Sequence, residues 1–456
     1  MLRPSLWLQQ VAGDAPDAAA LVGAARADVA IIGGGYVGLW TAIHLKEQDP
    51  GCDVVVLDQD ICGGGASGRN GGFVLSWWPK IMTLVSLCGR DEAVRLARAS
   101  EASIGAIDEF CRRHGVDAQM VRGGWLWAAT NAAQDGAWGD VLDACESLGV
   151  APFRRLDPGE VAARTGSAIH RAGVIEASNA TVHPGALARG LRRVALGMGV
   201  RIYERTRVMS FSRATPSVLR TGGGVVRADV VVIATAGWAA GIRELAQAMV
   251  VVSSDIVATE PIPERLAEIG WTDGVAITDA RLRVQYYRTT RDGRIVFGKG
   301  GGAVAFGGRI GVGFDRAVGR AVEVEREFRV TYPMLGGVRV THDWSGAVDR
   351  TPSALPAIGH LGRRGRILHG VGWSGHGVGP SHLGGRMLAS LALGRRDEFS
   401  EAGIVDRSMG WFPPEPLRYL GGRVVQGAIT RKERAESAGR RPAVVDSLLA
   451  RLAPNE

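Results

Sequence analysis

The sequence is short of the features that mark several broad protein classes. Its 456 residues contain five cysteines (Cys52, Cys62, Cys88, Cys111 and Cys145), none beyond position 145 and no two in a C-x-x-C pair. Neither a disulfide framework nor a metal centre is therefore expected, and the thiols are read as buried. No stretch approaches the run of about 18 apolar residues that a membrane span requires. The N-terminus also lacks the basic start and apolar core of a secretory leader, so the expectation is a cytoplasmic protein with no membrane partner. Clustered charge is missing too. The net charge is +8, from 54 basic and 46 acidic side chains, but the arginines are dispersed, and 401–456 carries nine basic against seven acidic groups. Binding to a phosphate backbone needs cations in a stripe or arm, so no nucleic-acid partner is expected. Lysine is scarce: Lys46, Lys80, Lys299 and Lys432 are the only four among the 54 basic residues. There is no internal repeat.

What is present is an ordinary balance of 46% hydrophobic and 22% charged residues, enough chain for about two to three domains, and 65 glycines, about twice the usual share. The pattern alternates between strand and helix. An apolar strand over 28–32 meets Gly33-Gly34-Gly35-Tyr36-Val37-Gly38, helical spacing follows over 39–48, and a β-branched strand over 54–57 ends at Asp58. Helical periodicity covers 79–115, most clearly 91–114. Short strands follow near Met120 and over 125–127, then a helix over 137–148. A helix over 184–198 leads to strands at 200–203 and 229–234. Strands dominate 250–300, with a hairpin turn at Arg291-Asp292-Gly293 joining 284–289 to 295–298. A helix over 317–332 precedes a glycine-rich block and a last helix over 384–393, and 428–441 is a basic helix-like stretch. Residues 1–27 read as an arm without periodicity. The expected fold is α/β plus α+β: a Rossmann-like domain over 1–85, 150–245 and 340–400, interrupted by a second domain with a mainly antiparallel sheet over 86–149 and 246–339. Residues 401–456 are read as an extension that caps the fold, with a partner contact as the alternative.

The spacing of Gly33, Gly35 and Gly38 between a strand and a helix, with Asp58 at the end of the second strand, fits dinucleotide binding. The first glycine permits the turn, the second lets backbone approach a pyrophosphate, the third allows close packing, and the acid accepts from ribose hydroxyls. The motif alone leaves FAD and NAD both open. A second glycine-rich stretch, 63–72, carries Ser67, Arg69, Asn70 and Gly71, suited to phosphates and the polar edge of a flavin. Ala236 and Trp238 follow a buried strand. Trp373 precedes Gly375-His376-Gly377-Val378-Gly379 at a helix start, where amides face negative charge.

These segments, together with Val182-His183-Pro184-Gly185 and Trp344-Ser345-Gly346, resemble the FAD-dependent D-amino-acid oxidase and glycine (sarcosine) oxidase superfamily over nearly the whole chain. The Ser-Gly-Arg-Asn-Gly-Gly string and the tail from Trp411 to Tyr419 look most like the γ-glutamylputrescine oxidase and aminophosphonate oxidoreductase branches. The resemblance implies FAD as cofactor, held by the four segments above in the domain spread over 1–85, 150–245 and 340–400. It implies oxidation of a C–N bond, with hydride passing to flavin N5, hydrolysis of the imine and reoxidation by O2 or another acceptor. Its partners would be a small amine, amino acid or aminophosphonate. Relatives that attach the flavin covalently use a cysteine near the last glycine motif or a histidine after the second strand. This chain has neither, so non-covalent FAD is expected. Lys299 is the candidate for activating O2, with Lys80 a lesser one. Tyr286, Arg288 and Trp373 are the substrate candidates, Arg288 as a fork for a carboxylate or phosphonate. Trp77, Trp78 and Tyr287 complete an aromatic cage, and His376 shapes the flavin loop. His44 is read as a packed helix residue.

Overall fold

The computed structural model describes residues 4–454 apart from 14–15, 312–313, 315–317 and 363–364. Two eight-stranded sheets organise it. The first runs in the order Ala357–His360, Ile367–Val371, Gly224–Ile233, Gly23–Ile32, Val54–Leu57, Arg201–Tyr203, with Val208–Phe211 and Ser217–Thr221 attached at Gly224–Ile233. The four pairings among its five central strands are parallel. Val54, Val55 and Val56 are fully buried, as a parallel strand covered by helices on both faces must be.

Helices Tyr36–Gln48 and Pro380–Ala392 pack closely on each other. Gly385 makes this possible, because a methyl there would meet Trp40 Cβ at 2.6 Å. The first helix begins at Tyr36 rather than 39, so Gly38 lies within its opening turn. There a methyl would collide with the Gly33 carbonyl oxygen, and Gly33 itself has φ 108°.

The second sheet runs Val340–Arg350, Val250–Thr259, Ile295–Lys299, Gln285–Thr289, Ala276–Asp279, Trp125–Ala129, Ala172–Glu176, Arg154–Leu156. It is antiparallel except where Ala276–Asp279 meets Trp125–Ala129. The hairpin 284–298 pairs as the turn signal indicates. Two segments differ from the expected division. Strands at 154–176 and 340–350 hydrogen-bond into this second sheet and not into the parallel one, because their partners at 125–129 and 250–259 offer free edges in register.

Several local expectations also shift. The helical region 79–115 divides at Gly89, φ 83°, into Ile81–Cys88 and Arg90–Arg113. Near Met120 only a single bridge, Val121 to Thr181, forms. The helix expected over 317–332 spans Val318–Thr331, position 317 lying outside the described residues. The helix expected over 384–393 starts four residues early, at Pro380. The N-terminal arm contains a helix, Leu6–Gln10, whose Leu6 and Trp7 are buried. Four cysteines are buried, Cys88 is half-buried, and all five are free thiols. No helix among the described residues is long and apolar enough to cross a membrane.

Candidate active site

One cavity of about 1640 Å³ opens where the parallel strands end, the position at which open α/β sheets bind ligands. Gly33, Gly35, Asp58, Ser67, Arg69, Asn70, Gly71, Ala236, Trp238, Trp373, Gly375, His376, Gly377 and Val378 all line it. The four sequence-distant segments are thus brought to one wall. Gly38 and Gly379 stand behind that wall. Gly379 lets the chain pass Leu75, whose carbonyl oxygen would lie 2.5 Å from an added methyl.

The wall fits a dinucleotide cofactor. Helix Tyr36–Gln48 has Gly35 as its N-cap and no side-chain cap, and helix Pro380–Ala392 likewise starts at Gly379 without one. Two helix N-termini therefore direct their positive ends at this region. Asp58 accepts hydrogen bonds from Gly34 N (2.7 Å) and Asp60 N (2.8 Å). Burial pushes its carboxyl up to about 6, against the pull of those two amides.

The side chains of the 63–72 loop do a different job from the one their polarity suggested. Ser67 Oγ accepts from Tyr36 N (2.9 Å). Arg69 donates to the carbonyls of Gly64 (3.0 Å) and Ser345 (3.1 Å). Asn70 donates to Ala66 O and Ser67 O and accepts from Gly72 N at 2.7 Å. These bonds fix the loop and leave its glycine backbone as the surface on the cavity. Trp7 Nε1 and Trp344 Nε1 brace it from behind, donating at 2.8 Å to Asn70 O and Arg69 O.

The last glycine loop is fixed by Asp349, a residue the sequence reading passed over. Its carboxylate accepts from Gly372 N (2.6 Å) and Trp373 N (3.2 Å), and burial raises it to about 6. Within the loop, burial and the nearby Lys80 and Arg350 cations push His376 down to about 3. His376 is neutral at ordinary pH, and its buried Nδ1 has no hydrogen-bond partner in the structure.

Beyond the glycine wall, Tyr286 faces the cavity. Its hydroxyl meets Ser254 Oγ at 2.7 Å, and its ring packs edge-on to Phe73, centroids 5.7 Å apart. Other candidates fall elsewhere. On strand Ile295–Lys299, Gly298 lies against the Tyr286 ring, so the pleat turns Lys299 to the opposite face. Lys299 is buried there, with Nζ 2.9 Å from both Glu323 and Glu327. It is a structural ion-pair partner and does not line the cavity, which corrects its assignment as the oxygen-activating group. Arg288 is likewise absent from the cavity wall: it donates to Val182 O (2.7 Å) and Gly72 O (3.4 Å) and stacks over Trp7. Tyr287, one residue out of phase with Tyr286, is buried beside His170 and Phe297. Trp77 and Trp78 belong to the main core, Trp78 donating to Glu101 at 2.7 Å. His44 is packed as expected, its ring 2.8 Å from Glu47.

Other aromatics and cations on the cavity lining include Phe73, Trp125, Trp127, Lys80, Arg281 and Arg350, with Trp125 and Trp127 stacked at 5.9 Å. The Trp-Leu-Trp alternation, which puts both indoles on one face of a strand, was the available signal for the tryptophans.

Comparison with known proteins agrees with this geometry. The profile of the family described as DAO, FAD dependent oxidoreductase, matches residues 28–391. The chain is 31% identical to the gamma-glutamylputrescine oxidoreductase of Escherichia coli over 375 residues, 82% of this chain and 85% of that one. Among solved structures, glycine oxidase from Geobacillus kaustophilus superposes with a TM-score of 0.68 at 22% identity, covering 84% of this chain and 98% of that one. L-proline dehydrogenase from P. horikoshii gives 0.66 at 21%, covering 83% and 96%. A glycine wall built for a dinucleotide and a profile match spanning both sheets lead to one conclusion: the chain belongs to the FAD-dependent oxidoreductase family.

Proposed function

We propose that this enzyme oxidises the C–N bond of a small amine or amino acid that carries an anionic group. The observation that carries the reading is the placement of Lys80 and Arg350 around a neutral His376 on the wall that also holds the flavin loop. A carboxylate or phosphonate is the ligand two such cations select. Bound FAD would supply the acceptor for hydride from the carbon bearing the amine, with imine hydrolysis by water and reoxidation by O2 completing the turnover.

The chain's residues account for the rest. Trp125, Trp127, Phe73 and Leu75 make one side of the cavity apolar and aromatic. Desolvation there lowers the pKa of a bound ammonium and favours the neutral amine from which hydride leaves. His376, held neutral, adds no further positive charge beside Lys80 and Arg350. The names of the relatives, gamma-glutamylputrescine oxidoreductase and glycine oxidase, support an amine or amino-acid substrate. The paired cations equally favour an aminophosphonate. With Lys299 withdrawn from the cavity, a non-oxygen electron acceptor is the alternative for reoxidation.

The test is anaerobic bleaching of the flavin by a panel of amines, amino acids and aminophosphonates, followed by admission of air. Rapid bleaching by an anionic amine and peroxide formation on reoxidation are expected. Bleaching by none of the panel overturns the proposal, whereas bleaching without peroxide assigns the dehydrogenase alternative.

A further inference from the structure

The C-terminal helices Leu417–Ser437 and Val444–Ala450 pack as a hairpin and lie beyond residue 391, where the family profile ends. Part of this hairpin serves the cavity: Gln426 Nε2 donates to Gly301 O and Gly302 O, and Glu415 accepts from Gly307 N. The opposite face is largely exposed. Leu417, Leu420 and Val424 recur at three- and four-residue steps on one side of the long helix and are 55–63% exposed. Arg431, two turns further along that side, carries Asp446 of the short helix at 2.7 Å. The short helix thus covers only the far half of the stripe. Its own Val444 and Leu448, and Leu452 just after it, are 56–75% exposed, and Trp411, just before the hairpin, is 70% exposed. Apolar surface on this scale marks an interaction face.

Charge selects the occupant. Between 411 and 454, Arg423, Arg431, Arg434, Arg440, Arg441 and Arg451 are exposed, and no acidic residue is. The four acids of that stretch are all engaged: Glu415 with Arg418, Glu436 with Lys432, Asp446 with Arg431, and Glu433 with the Arg283 backbone N–H. A two-fold contact between copies would set this cationic face against itself. Side chains exposed by more than half project from the surface and do not line a groove for a protein anchor. Exposed aliphatic side chains and an indole among arginines, with no competing anion, match the interface of an anionic bilayer. Against the sequence expectation of no membrane partner, we propose that this hairpin docks the enzyme peripherally on an anionic phospholipid surface, without spanning it. The proposal is independent of the substrate chemistry.

The experiment is sedimentation of the holoprotein with phosphatidylcholine vesicles, with and without about 30% phosphatidylglycerol to supply the anionic surface. Partitioning onto the anionic vesicles only, reversed by high salt, is expected. Arg440→Gln with Arg441→Gln, and separately Leu420→Ser with Val424→Ser, should each lower it about tenfold while leaving flavin content unchanged. Equal binding to both vesicle types, no binding to either, or variants that bind like the parent would overturn the proposal. So would a dimer in solution that the Leu420→Ser, Val424→Ser variant converts to monomer, since the occupant would then be a second copy.

Discussion

At the scale of single residues, the two lysines singled out in the sequence part company. Lys80 lines the cavity and acts electrostatically on His376, whereas Lys299 neutralises Glu323 and Glu327 on the far side of a sheet. Lys80→Met should therefore raise KM for an anionic substrate about tenfold or more with flavin content intact; an unchanged KM in steady-state assays would remove Lys80 from the site. Lys299→Met should leave reoxidation by O2 unaffected and cost about 3 kcal/mol of stability.

That cost should depend on pH. Burial opposes ionisation of Glu327, but Lys299, Arg281 and Gln285 overcome it and hold the carboxyl at about 2. Its contribution is present above the ordinary carboxylate range and is lost as pH falls towards 2, so denaturant titrations of the two proteins should converge in acid. Glu176 behaves in the opposite sense. Burial raises it to about 7 against hydrogen bonds that include Ser76 Oγ at 2.5 Å. The folded state then holds a proton that the unfolded chain has released, and stability falls as pH rises from about 4.5 through 7. Glu176→Gln should flatten that decline by on the order of 2 kcal/mol, read from urea midpoints at pH 5 and pH 8.

At the scale of elements, the opening turn of helix Tyr36–Gln48 rests on close backbone packing. Gly38 abuts the Gly33 carbonyl, and Gly33 adopts a φ that only glycine takes without strain. Gly38→Ala should push the helix off the strand, costing about 1–3 kcal/mol and lowering flavin retained through purification, measured as the ratio of 450-nm absorbance to protein. The hairpin 284–298 shows why a correct strand assignment placed Tyr286 on the cavity but not Arg288. Its register puts Tyr286 beside Gly298 and Arg288 beside Val296. The period of two places Tyr286 and Arg288 on the same side, yet Arg288 lies further along the strand, against Trp7 and the Val182 carbonyl, beyond the end of the cavity.

At the scale of the molecule, the cavity wall contains no cysteine and a single histidine, His376, among the described residues. The flavin should accordingly be released intact when the protein is precipitated by acid, leaving a colourless pellet and FAD in the supernatant by chromatography. Colour retained in the pellet would indicate a covalent bond. The N-terminal and C-terminal segments act over long distances: Trp7 braces the 63–72 loop and Gln426 holds the 300–302 turn. Segments far apart in the sequence thus hold two loops that line the cavity.

Dinucleotide binding and the βαβ start of the fold were readable in the chain because they rest on local rules, whereas the choice of FAD over NAD rested on the resemblance carried by several distant segments. A strand, a turn that tolerates no side chain, a helix and a terminal acid follow one another within thirty residues, and their chemistry does not wait on distant partners. The choice of lysine, the fate of Arg288, and the roles of Asp349 and Arg350 depended on which face a strand turns inward and where the cavity ends. Those are set only when strands at 154–176 and 340–350 join the second sheet rather than the first. A charged side chain's role depends on whether a counter-charge or a cavity meets it, and that is a property of packing between separate elements, from the 24 residues between Lys299 and Glu323 to the 216 between Arg288 and Gly72.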